Sequence, residues 1–336
     1  MRFLIGMTAL LLLGCGLANS GEVLPDPWVA VDADFPDPAI IRADDGFYYA
    51  YATQGRVDER MLNVQIARSR DLRKWEHLGD ALPVKPDWAS QTQDFWAPHV
   101  ARYGKGYALY YSAKPDAALT DPGRGLCLAV ATADRPEGPF TDRGKPLLCG
   151  KGFENIDPML FDDPQTGKRL LYWGSGFGPI KVRELASNGM SFAADSAPVA
   201  LIAVEQTNDS ANYRRLVEAP WVIYREGWYY LFFSGDNCCG QNAHYAVMVA
   251  RSRSATGPFE LNSAGNGVIL EASPAWIAPG HNAIIQNDDG EMFILYHAVD
   301  AAQPRSEPQD DVNTRRIMLV DRLVWRNGWP IVGNGG

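Results

Sequence analysis

Clusters of basic residues are missing from this chain. Its 31 Lys and Arg are outnumbered by 40 Asp and Glu, for a formal net charge of −9, and no stretch gathers the cations together. Phosphate binding depends on such gathering, so nucleic acid and anionic membrane surfaces are excluded as partners. Cysteine is scarce too, at 5 residues, with neither a Cys-x-x-Cys pair nor a Cys/His spacing of the zinc type. A structural zinc is thereby excluded. No segment sustains apolar residues at the 3.6-residue helical period, which argues against helical and α/β repeats. The one long apolar run, residues 3–13, is too short to span a bilayer permanently.

That run follows a single Arg2 and precedes small residues, the layout of an export signal. Two processing sites compete: Leu12-Leu13-Gly14-Cys15, of lipoprotein type, and Ala18-Asn19-Ser20, of ordinary signal-peptidase type. The protein is therefore expected to be exported, as a periplasmic, secreted or lipid-anchored outer-membrane protein, and residues 1–20 are set apart from the fold. Export permits disulfides. Apart from Cys15, the four cysteines Cys127, Cys149, Cys238 and Cys239 allow three pairings, of which we favour Cys127 with Cys149 and a vicinal Cys238–Cys239 bridge.

What is plentiful is apolar and aromatic. At 46% hydrophobic and 11% aromatic residues the chain can bury a large core. Its 10 Trp offer flat rings suited to sugar faces as well as to β-sheet cores. Five segments open alike: FPDPAII (35–41), WAPHVAR (96–102), NIDPMLF (155–161), VEAPWVI (217–223) and IAPGHNAII (277–285). Their prolines stand at 38, 98, 158, 220 and 279, so successive gaps are 60, 60, 62 and 59 residues. After each opening comes a turn and an aromatic-rich strand, as in DDGFYYAYAT, YGKGYALYYSA and REGWYYLFFSG. Third strands such as NVQIARSRDL and YAVMVARSRS follow, with an outer segment beyond them. Four short strands per repeat describe a propeller blade. The expectation is an all-β, five-bladed β-propeller over residues 28–332, a single catalytic domain closed on itself and needing no partner copy.

In such a fold the first strand of each blade lines the central channel, so residues beside the repeated prolines converge at one mouth. They are Asp37, His99, Asp157, Glu218 and His281. Each alone has an ordinary reading. Asp before Pro commonly starts a strand, and a lone His is usually a satisfied structural residue. Glu218 says more, because it adjoins an apolar run where an unpaired carboxylate is costly. Gathered together, three carboxylates repel and demand a purpose. Glycosidic hydrolysis supplies one: an acid protonates the leaving oxygen and a carboxylate opposite activates water or attacks.

At these residues the chain resembles glycoside hydrolase family 43, through the DP of FPDPAI, WAP at 96–98, the IDP of NIDPML, the EAP of VEAPWV and the GH of APGHNAII. The resemblance implies an inverting glycosidase with Asp37 as general base, Glu218 as general acid and Asp157 tuning the acid. It implies carboxyl groups roughly 6.5–9.5 Å apart. His281 matches a histidine that ligates a calcium or similar ion in the channel, chiefly through waters, and Arg316 matches a last-blade arginine near substrate and base. Phe35 and Trp96 are candidates for sugar stacking, with His99 a further substrate contact. The segment SGDNCCGQNAHY resembles the paired-cysteine loop of arabinan-cleaving members, so α-L-arabinofuranosidic linkages of plant cell-wall arabinan, cut in endo or exo fashion, are the first expected substrate. His99 departs from the acidic residue commoner after WAP. Three other readings stand beside this one: a β-D-xylosidase of the same family, a retaining β-fructosidase-like enzyme and a non-catalytic carbohydrate-binding propeller. The absence of RDP and EC signatures counts against the second, and retention of all three acidic positions against the third.

Overall fold

The computed structural model describes residues 27–174, 176–305 and 315–333. The expected export signal and Cys15 lie outside them. Twenty-five strands and four short 3-10 turns make five antiparallel sheets plus one small hairpin. Blade one holds Ala39–Arg42, Tyr48–Ala52, Gln65–Ser69 and Trp75–Asp80, with the hairpin Gly55–Val57/Arg60–Leu62 inserted. Blade two runs Phe95–Tyr103, Gly106–Ala113 and Cys127–Ala133, its outer edge divided between Thr141–Asp142 and Leu148–Cys149. Blade three is Met159–Asp162, Arg169–Trp173, Ile180–Glu184 and Val199–Ile202. Blade four is Val217–Arg225, Trp228–Asn237 and His244–Ser252, edged by Glu260–Leu261 and Val268–Leu270. Blade five is Trp276–Gln286, Met292–Asp300 and Arg316–Arg326, and its outer edge is completed by Trp329–Val332 and by the N-terminal strand Trp28–Val31. The chain thus closes on itself by pairing its beginning with its end.

First strands touch in sequence from blade one to blade five and back to one, so the five-fold propeller expected from the proline spacing is the observed architecture. The aromatic second strands bind neighbouring blades together. Those of blades one to four each send a buried tyrosine hydroxyl to a backbone carbonyl of the next blade: Tyr51 to Pro136 (2.6 Å), Tyr110 to Gly189 (3.0 Å), Tyr172 to Ala255 (2.6 Å) and Tyr230 to Gly328 (2.8 Å). A buried phenol needs such a partner, and each of these four has one. Cys127 pairs with Cys149 across neighbouring strands, and Cys238 with Cys239.

Candidate active site

Every blade enters the channel through the same distortion. The residue before each repeated proline adopts a left-handed backbone although none is glycine: Asp37 (φ 57°), Ala97 (47°), Asp157 (55°), Ala219 (54°) and Ala278 (49°). Such a conformation costs on the order of 1 kcal/mol or more and persists only where the surroundings impose it. A ring of hydrogen bonds between blades does so. The end of one second strand accepts the backbone N–H at or beside the kink of the following blade: Thr53 Oγ1 from Ala97 (2.8 Å), Ser112 Oγ from Asp157 (3.2 Å), Ser234 Oγ from His281 (2.8 Å) and His297 Nδ1 from Asp37 (3.1 Å). Blade three has Gly174 at that place in LLYWGS. Lacking a side chain there, it leaves the Ala219 N–H to the Asp157 carboxylate, which accepts it at 2.9 Å.

The kinks also break register. Pairing skips between Trp96 and His99, between Glu218 and Trp221, and between Ile277 and Gly280. Bulges of this kind re-aim side chains at a sheet's end. Register also divides the residues that the sequence places together. Asp37 and Asp157 directly precede their prolines, whereas Glu218 stands one residue earlier and is matched in blade two by Trp96. Trp96 faces Ser112 as Glu218 faces Ser234.

Asp37 is nearly enclosed, and four side chains meet its carboxylate. Thr53 Oγ1 donates to Oδ2 at 2.5 Å, and Arg316 Nη1 donates to Oδ1 at 3.1 Å. His281 Nδ1 and His297 Nδ1 lie 3.4 and 3.3 Å from Oδ1. Burial alone would raise this carboxyl's pKa. Arg316, the histidines and the hydrogen bonds outweigh it and hold Asp37 well below the usual carboxylate range. Glu218 is driven the opposite way. Burial, reinforced by the charge of Asp37, lifts it to about 7 against the pull of Tyr245, whose hydroxyl donates to Oε1 at 2.7 Å. Asp157 is raised as well, by burial first and then by repulsion from Glu218 and Asp37. Acids that repel one another in this way titrate as a unit.

Of the residues expected at the site, Asp37, Asp157, Glu218, His281 and Arg316 are thus brought together by hydrogen bonds and charge. Trp96 is half-buried at the mouth, stacked on Phe153 with centroids 5.9 Å apart and planes at 15°. Phe35 requires a correction. It is fully buried, edge-on to His77, and belongs to the core that seals blade five to blade one, so it offers no face to a sugar. His99 lies past the kink, 6% exposed and edge-on to Trp221 in the wall of the channel, with its Nδ1 unpartnered among the described residues. Thr53, Tyr245 and His297 were not anticipated. They come from second and third strands, where their neighbours YAT, AHY and LYH read as ordinary strand sequence.

Burial depresses His281 to about 4, so its ring is neutral near pH 7. No group of three or more His, Cys, Asp or Glu side chains among the described residues is placed to hold a metal ion. One neutral imidazole fits an ion that keeps its own water shell and does not fit calcium caged by carboxylates.

The family model described as glycosyl hydrolases family 43 matches residues 29–330. An extracellular endo-α-(1→5)-L-arabinanase of Bacillus subtilis is 29% identical over 98% of this chain and 97% of that protein. An extracellular exo-α-(1→5)-L-arabinofuranosidase of Cellvibrio japonicus is 24% identical over 90% of this chain and 87% of its own length. Among solved structures, a native arabinanase of Bacillus subtilis superposes with a TM-score of 0.71 at 26% identity, covering 91% of this chain and 99% of that one.

Proposed function

This chain belongs to glycosyl hydrolases family 43, and we propose that it hydrolyses the α-1,5-L-arabinofuranosidic bonds of arabinan and arabino-oligosaccharides by a single displacement with inversion. The supporting observation is the opposite poise of two carboxyls at one mouth, Asp37 held low and Glu218 raised to about 7. Enzymes that run acid and base chemistry together need such divergence. Asp37, ionised near neutrality, accepts a proton from a water as its oxygen attacks the anomeric carbon. Glu218, protonated, gives its proton to the departing glycosidic oxygen. Asp157 helps keep that proton on the pair by like-charge repulsion, and its bond to the Ala219 N–H fixes the backbone beside Glu218. Arg316 holds Asp37 ionised and aimed. After turnover Asp37 carries a proton and Glu218 has lost one, and exchange with solvent restores both.

Substrate assignment draws on the two relatives, whose names state arabinan linkages. A hydrated ion held by His281 would add positive field to the site; no step above is routed through it. The extracellular designation of both relatives supports export. Lipid attachment at Cys15 is the finer proposal, and loss of detergent-phase partitioning in Cys15→Ser would support it. Proton NMR of the anomeric signals tests the reaction, using debranched arabinan, arabino-oligosaccharides and xylo-oligosaccharides. Inverted arabinose-type product that disappears in Asp37→Asn and Glu218→Gln is expected. Retained configuration, or turnover of xylo-oligosaccharides alone, would overturn the mechanism or the substrate respectively.

A further inference from the structure

Among the described residues only two Phe, Tyr or Trp side chains are openly exposed, Phe153 at 53% and Phe177 at 78%. They are neighbours. A Cβ added to Gly176 would lie 3.2 Å from the Phe153 backbone, so the loop carrying Phe177 rests on the segment carrying Phe153. Both stand at the catalytic mouth. Phe153 precedes Asp157 by four residues, and the Phe177 loop leaves the second strand of blade three where Gly174 N–H donates to the Ile156 carbonyl at 3.0 Å. Phe153 in turn lies flat on Trp96, which occupies in blade two the position that Glu218 occupies in blade four.

The supporting backbone is pinned. Gly125 and Leu126 donate to the Gly150 and Gly152 carbonyls, each at 2.9 Å, and the Cys127–Cys149 disulfide closes the base of the segment. Only glycine permits the approach, since a Cβ at Gly125 would meet Gly152 N at 2.2 Å. Exposed apolar surface beside a site marks binding, and flat rings on a fixed backbone suit sugar faces at small ordering cost.

We propose that Trp96, Phe153 and Phe177 form a platform that carries the glycan chain outward from the cleavage point over blades two and three. The proposal rests on the glycan-cleaving reading above and deepens it: the enzyme is built to hold several sugar units beyond the scissile bond on this side.

The test compares the native protein with Phe153→Ala, Phe177→Ala and the double variant on an arabino-hexasaccharide and on an aryl α-L-arabinofuranoside. For the hexasaccharide, kcat/KM should fall about tenfold in the double variant, mainly through KM, and fall far less for the aryl glycoside. An equal fall on both substrates would overturn the platform in favour of a structural role, and no fall on either would remove it. Sedimentation that finds a dimer of the native protein dissolved in the double variant would make the patch a contact between copies, and would overturn it also. If the native protein instead cleaves xylo-oligosaccharides, the substrate reading fails separately, and the long-to-short comparison is made on those glycans.

Discussion

Removing one hydroxyl, in Tyr245→Phe, should shift the alkaline edge of activity upward. Tyr245 is 1% exposed and donates to Glu218 Oε1 at 2.7 Å. A hydrogen bond to an ionised acceptor contributes about 1.5–3 kcal/mol. The protonated acid also accepts from Tyr245 but more weakly, so about half of that energy favours the carboxylate over the acid. At 1.36 kcal/mol per pH unit, the loss raises the acid's pKa by about one unit. On the proposed mechanism Glu218 acts protonated, so activity of the native protein should decline as pH rises through about 7. In Tyr245→Phe the decline should move to about pH 8. Because Glu218 and Asp157 titrate together, the observed edge belongs to the pair, but its direction of movement is unchanged. The assay is kcat/KM against pH on an arabino-oligosaccharide, with circular dichroism confirming the fold of the variant. An edge that stays in place or moves down would refute the role of Tyr245 and, with it, the assignment of that edge to Glu218.

Glu218 has a folded pKa of about 7 against an ordinary 4.5, so its contribution to stability is complete below pH 4.5 and is lost as pH rises through 7. By pH 8 the ionised acid costs on the order of 3 kcal/mol. Glu218→Gln should therefore melt with the native protein near pH 4.5 and several degrees higher at pH 8 in a thermal scan; parallel curves at the two pH values would contradict this. At His297 a serine would keep the acceptor for the Asp37 N–H that Ser112 and Ser234 provide in other blades, yet remove the ring facing Asp37 Oδ1 and stacked on Tyr245 at 5.8 Å. In His297→Ser kcat should fall by roughly tenfold to a hundredfold. The acidic edge should rise in pH, because Asp37 loses a group that holds its pKa low. Native kcat with an unmoved edge would count His297 as packing.

Blade number and the three carboxylates were legible in the residues because both depend on one local event, the kink before proline, repeated at nearly constant spacing. The same event places Trp96 at the mouth, in the register of Glu218. Phe35 could not be read from it, since a residue two or three places from the kink can face either the mouth or the core, and side chains alternate along a strand. Thr53, Tyr245 and His297 were invisible for another reason. Each stands among apolar and aromatic neighbours; Thr53 and Tyr245 meet a carboxylate only through the folding of their own blade, and His297 only through the junction of blades five and one, at separations of 16 to 260 residues. Phe153 and Phe177 sit in glycine-rich connections that carry no periodic signal at all.

Closure of the circle has a consequence for how the protein comes into being. Asp37 follows directly on Trp28–Val31, which has no partner until Arg316–Arg326 arrives to pair with it. Arg316 is stitched to the same region through its N–H to Asp34 and its carbonyl from the Phe35 N–H, each at 2.9 Å. The base therefore acquires its guanidinium only after the last full strand has been synthesised and has docked on the first. A chain with four finished blades holds Glu218 and Asp37 but not Arg316, His281 and His297, so the surroundings that set Asp37 apart are complete only when the ring has shut.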